Sequence, residues 1–178
     1  MKTQITSRTR ITFTLLFTLA LAMTSCSTEP VGTSDDIYED TVSANEPMET
    51  PEVDVTAFEQ EVFNAINKHR TSLGMGSLEF NAHAFVAAEE HSAYMVQQGT
   101  LSHTNFGNRA KQIAEATGAQ SVAENVARNY DSSTAVLEAW LSSPSHRSTL
   151  EGDYTHSALS VDYDADGNPY YTHIFFKK

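Results

Sequence analysis

The spacing of apolar residues changes character several times along the chain. Ile11 to Ala22 is a mostly apolar run, residues 27 to 55 show no periodicity, and a helical period starts near residue 56. Thr56-Ala57-Phe58-Glu59 fits a capping box, and Phe58, Val62, Ile66 and Leu73 then recur at helical spacing, which predicts a helix ended by Gly74. A second helix is expected from an Asn81 cap to Gln98, with Gly99 beyond it and a stripe of Ala84, Ala87, Ala88, His91 and Met95. Shorter helices are expected at Asn108 to Thr117, stopped by Gly118, and at about Ser132 to Leu141, with Val136, Leu137 and Trp140 turned inward. Pro144 suits the first turn of one more, capped by Ser143. The period then shortens. Ala158 to Tyr163 and Tyr170 to Phe176 are rich in β-branched and aromatic residues, and the turn-forming run Asp164 to Pro169 joins them into a hairpin. Helices followed by a terminal hairpin predict an α+β domain in which helices cover a small sheet.

The first 55 residues read differently. Lys2, Arg8 and Arg10 precede the apolar run, which is too short to span a bilayer comfortably and ends in Met23-Thr24-Ser25-Cys26. Residues 1–25 are therefore expected to be an export signal. Small residues before the lone cysteine resemble a lipobox, with Met23 in place of the usual Leu, and imply that Cys26 is acylated and anchors the chain to a bacterial membrane. The alternative is ordinary secretion, with Cys26 left as a free thiol. Residues 27 to 55 hold nine acids, three prolines and no Lys or Arg, a composition expected to form an acidic, disordered tether over 26–55. The folded domain is then 56–178.

Charge and cysteine content narrow the function. The formal charge is −12, with 23 acids against 11 Lys and Arg, and removal of the first 25 residues makes the product more acidic still. Nucleic acid and anionic headgroups are therefore poor partners, and membrane contact has to be apolar. With one cysteine the domain folds without an internal disulfide.

All seven histidines lie in the domain, and two sit in polar surroundings: His103 in Ser102-His103-Thr104-Asn105 and His146 in Ser143-Pro144-Ser145-His146-Arg147. With Glu124, in Ala123-Glu124-Asn125-Val126, they form a candidate His/His/carboxylate group. His91 falls on an apolar helix face and reads as a core histidine. Asp162, Asp164, Asp166 and Gly167 imitate half of a calcium loop, but His173 stands where the closing Glu belongs and the flanks read as strands.

Asn67 with Arg70, Leu78, the Ala88, His91 and Met95 series, Ser102-His103, Glu124-Asn125, Trp140, the Ser143 to Arg147 segment and Tyr171-Thr172 together resemble the ordered landmarks of the CAP superfamily. That superfamily includes cysteine-rich secretory proteins, venom allergens and plant pathogenesis-related proteins, and the match covers roughly residues 57 to 176. The resemblance implies a three-layer α-β-α sandwich with a large cleft lined by two His and two acids. Carried over, the His pair is His103 and His146 and one acid is Glu124. Ser143 stands at the position of the second acid, as in the shorter bacterial branch. The resemblance also implies a divalent ion, zinc among the candidates, held weakly because two imidazoles fall short of the usual three protein ligands.

Glu124 is then either a third ligand or the acceptor that fixes an imidazole tautomer. A blander alternative is that the three residues only satisfy one another as buried polar groups. A non-catalytic module that receives a peptide, glycan or lipid in the cleft is the favoured expectation. Its rival is a hydrolase of peptides or cell-wall material in which His103 or His146 with Glu124 activates water. A third expectation is a purely structural envelope protein.

Overall fold

The computed structural model describes residues 49–178. The expected export signal, Cys26 and most of the tether lie outside the described residues. Among those described, no helix is long and apolar enough to cross a membrane.

Five helices and four strands follow in the order α1 (Ala57–Ser72), β1 (Glu79–Phe80), α2 (Ala82–Gln98), α3 (Phe106–Thr117), β2 (Ser121–Arg128), α4 (Ser133–Ser142), α5 (Pro144–Leu150), β3 (His156–Tyr163) and β4 (Pro169–Lys177). The strands form one sheet in the order β1-β3-β4-β2. β4 pairs antiparallel with both β2 and β3, and β1 adds two residues parallel to β3.

Side chains of β4 alternate strictly between two helical layers. Tyr171 and Phe175 point to one face, where they meet Val62 and Ile66 of α1, Trp140 of α4 and Leu150 of α5. Ile174 and Phe176 point to the other, against Ala84, Phe85 and Ala88 of α2 and Ile113 of α3. The result is the three-layer α-β-α sandwich. Because β4 is covered on both faces, Pro169 to Phe176 is buried without interruption.

Local chemistry explains the helix limits. The Thr56 hydroxyl accepts from Glu59 N, and Glu59 Oε2 accepts from Thr56 N at 2.8 Å, which completes the expected capping box. The same carboxylate accepts from Val161 N of β3 at 2.8 Å, so the cap also ties α1 to the sheet. Asn81 caps α2, and Gly99 ends it at φ 67°, where an L side chain would be strained.

Two landmark residues on α1 hold loops. Asn67 pairs through both side-chain atoms with Leu78 N and O at 2.7 and 3.1 Å. Arg70, 2% exposed, donates to the carbonyls of Gly76, Leu150, Gly152 and Tyr154.

Three features differ from expectation. α3 starts at Phe106, two residues before the expected Asn108, because Asn105 turns the chain in the left-handed region at φ 60° without a side-chain cap. Strand β2 was not foreseen: it runs between the two helical layers, is buried on both faces from Glu124 to Ala127, and carries Glu and Asn instead of an apolar alternation. The chain also rests on the domain before residue 56, since Val53 and Val55 pack against the α2 and α3 cluster. The last part of the expected tether is therefore an extended strap on the domain surface.

Candidate functional site

The site is built on two consecutive residues of β2. A strand turns neighbouring side chains to opposite faces, so Glu124 points into the α2/α3 layer and Asn125 into the α4/α5 layer.

Glu124 meets the loop between α2 and α3. Its Oε1 accepts from His103 Nδ1 at 2.8 Å, and Arg109 of α3 donates from Nε to Oε2 at 2.9 Å and from Nη2 to Oε1 at 3.0 Å. The carboxylate side chain is 1% exposed, and the guanidinium supplies a forked pair of hydrogen bonds to its two oxygens. Because a carboxylate only accepts, the proton in that bond belongs to His103 Nδ1, and Nε2 is left outside it. The His103 side chain is 53% exposed, so that nitrogen is accessible.

Asn125 serves the other histidine through the backbone. Its Nδ2 donates to the His146 carbonyl at 3.0 Å, pinning the first turn of α5 to the strand. Burial lowers the His146 pKa, and the neighbouring His103 lowers it further. His146 is therefore neutral at physiological pH and borders a cavity of about 380 Å³ with Leu101, Val126, Trp140 and Ser143. The two histidines thus approach the outer edge of β2 from opposite layers of the sandwich.

His91 is buried as a core histidine: its Nε2 donates to the Ser102 carbonyl at 2.7 Å, and its ring stacks on Tyr94. It lies 3.8 Å from Glu124 Oε1, and burial first lowers its pKa. By holding Ser102 it fixes the loop that carries His103. Arg109 was not singled out from sequence, where it reads as one polar residue of an amphipathic helix. Its Nη1 also donates to Thr104 O at 2.7 Å, which closes the loop from the other side.

Ser143 caps α5 by position, but its hydroxyl meets Ser145 Oγ at 3.2 Å instead of a helix N–H. No serine hydroxyl is hydrogen-bonded to His103 or His146 among the described residues. Among them also, no three His, Cys, Asp or Glu side chains are grouped to hold a metal ion. Glu124 has both oxygens engaged by Arg109 and His103, the arrangement of a carboxylate that orients an imidazole. The donor atoms this leaves are ring nitrogens of His103 and His146. In the C-terminal hairpin, Asp164 accepts from Asp166 N, Asn168 N and Asn168 Nδ2, and these bonds, the Asn168 side chain first, lower its pKa. Its carboxylate is used to turn the chain.

The chain belongs to the Cysteine-rich secretory protein family, CAP, whose model matches residues 63–175. It does so with Cys26 as its one cysteine. It is 32% identical over 127 residues to the uncharacterized membrane protein YlbC of Bacillus subtilis, an alignment covering 69% of this chain and 35% of that protein. The chain thus corresponds to a minor part of that relative's length.

Among solved structures, an outer surface protein of Borrelia burgdorferi is similar with a TM-score of 0.63 and 22% identity, over 73% of this chain and 99% of that one. An extracellular protein of Bacillus anthracis containing an SCP domain follows at TM-score 0.58 and 23% identity, over 71% of this chain and 45% of that one. A venom allergen-like protein of Schistosoma mansoni is similar at TM-score 0.54 and 9% identity, over 69% and 90%. At such identities these structures share the fold.

Proposed function

We propose that this chain is an exported protein of the bacterial envelope, lipid-anchored at Cys26, whose CAP domain binds a ligand in the cleft between His103 and His146 without transforming it. The observation that carries this is the Arg109–Glu124–His103 chain, which orients an accessible imidazole beside a second imidazole and a cavity. Such a site is preorganised to accept hydrogen bonds, while no aligned nucleophile stands next to it. Names of similar proteins, an outer surface protein, an extracellular protein and a membrane protein, support the envelope location. A weakly held divalent ion, zinc among the candidates, fits the two open imidazole nitrogens, with Glu124 behind His103. It would act there as a Lewis acid.

The test is a screen of the purified protein against peptide, glycan and lipid arrays, repeated with His103→Ala and His146→Ala. Binding that both substitutions abolish is expected, and arrays that are blank, or hits indifferent to both, contradict it. One observation favours a hydrolase instead: the His103–Glu124 pair leaves Nε2 as a potential general base. Hydrolysis of a peptide or peptidoglycan substrate lost in Glu124→Gln with the fold intact would establish that reading in place of ours.

A further inference from the structure

The two long edges of the sheet are finished differently. Asn129 N donates to Pro169 O at 2.9 Å, in register with the β2–β4 pairing, and Asp164 N donates to Asn168 O at 3.1 Å, in register with β3–β4. Backbone groups in a ladder alternate sides. Stepping by two from these bonds, Ala123, Asn125 and Ala127 turn their backbone groups toward β4, and Glu124, Val126 and Arg128 turn theirs outward. On β3 the outward residues include Ser157 and Val161.

The β3 edge is capped at two of its outward residues. Ser157 O accepts from Asn81 N at 3.2 Å, and Val161 N donates to Glu59 at 2.8 Å. On β2, Trp140 Nε1 donates to Val126 O at 3.2 Å. Among the described residues no hydrogen bond reaches the amides of Glu124, Val126 and Arg128, or the carbonyls of Glu124 and Arg128. Glu124 and Val126 are 9% and 7% exposed, and because the Glu124 side chain is 1% exposed, what remains accessible there is backbone. Val126 to Arg128 line the same 380 Å³ cavity as His146. An unpaired strand edge reached from a cavity is suited to a ligand that supplies acceptors and donors in the same repeat.

We propose that the outer edge of β2 from Glu124 to Arg128 receives an extended peptide as a fifth strand, with an apolar side chain between Leu101 and Trp140. This rests on the cleft-binding function above and specifies its ligand class. An extended polypeptide offers alternating acceptors and donors at the strand repeat, which glycans and lipids lack, and strand addition to an open edge uses that match.

Peptides selected from a phage-displayed random library on the purified protein, resynthesised with single backbone N-methyl groups, provide the test. Methylation at every second position is expected to weaken binding about tenfold, with the interleaved positions indifferent. Amide exchange at residues 124, 126 and 128 should slow on binding, while that at 123, 125 and 127, already in the ladder, stays unchanged. Val126→Pro removes an outward N–H without removing a β2–β4 bond, and should weaken binding by a similar factor. If that variant does not melt cooperatively, Ala139→Phe, which fills the cavity from α4, should give the same loss.

Failure to select any peptide, peptides insensitive to N-methylation, or unchanged exchange at 124, 126 and 128 would overturn the proposal. So would slowing that depends on protein concentration alone, which assigns the edge to self-association. Ligand binding lost in His103→Ala but intact in Val126→Pro rejects the strand while keeping the cleft function. The opposite pattern keeps the strand and removes the imidazoles from the site.

Discussion

Arg109 decides what Glu124 can do. The Glu124 carboxylate, at 1% side-chain exposure, is met by two hydrogen bonds from the Arg109 guanidinium. Arg109→Leu leaves that carboxylate uncompensated and should cost about 3–5 kcal/mol in urea unfolding, far more than a surface substitution. A second buried group titrates in acid. His173 is wholly buried beside Trp140 and Phe175, its Nδ1 has no partner among the described residues, and desolvation drives its pKa down to about 3. The folded state thus binds fewer protons than the unfolded one between about 3 and the ordinary value of 6.5. Stability supplied by neutral His173 is complete above pH 6.5 and is lost as the pH falls toward 3, with a slope of about 1.4 kcal/mol per pH unit from this group. His173→Asn should flatten that acid limb in denaturation curves taken from pH 7 to 4, and an unchanged slope would place the acid sensitivity elsewhere.

Elements with a helical apolar period, or with a β-branched and aromatic run beside a turn as in β3 and β4, were legible in the sequence, and β2 was not. α1, α2 and α4 carry apolar residues at helical spacing together with Thr56, Asn81 and Ser132 as caps, and each forms within a residue or so of expectation. β2 escaped because a strand enclosed by helices on both faces need not alternate, and because its buried positions are filled by Glu124 and Asn125, whose partners Arg109 and His146 lie 15 and 21 residues away. The site was legible as residue types, His103, His146 and Glu124. Its geometry was not, since that depends on a buried arginine whose spacing in α3 looks like that of any exposed helical residue. The α1 cap offers an element-scale check. Thr56→Ala should cost about 1 kcal/mol in thermal or urea melts, as N-caps do. Glu59→Ala should cost more, because it also strips Val161 N of its acceptor.

At the scale of the whole molecule, the proposed role as a tethered binder goes with a formal charge of −12 that makes nucleic acid a poor partner. Val53 and Val55 pack on the domain, so removing residues 49–55 should lower its melting temperature, where deletion within a free linker would not. Cys26→Ser is expected to release the protein from the membrane fraction into the soluble one, and retention in the membrane would contradict the lipid anchor. The convergence of His103 and His146 on one hollow can be observed directly by following the imidazole nitrogen resonances of both residues during a zinc titration. Both should shift together, with one midpoint and saturation at a single equivalent, and His103→Ala should abolish the response of His146. Separate midpoints, or a response from one ring alone, would mean that the two side chains do not share a site.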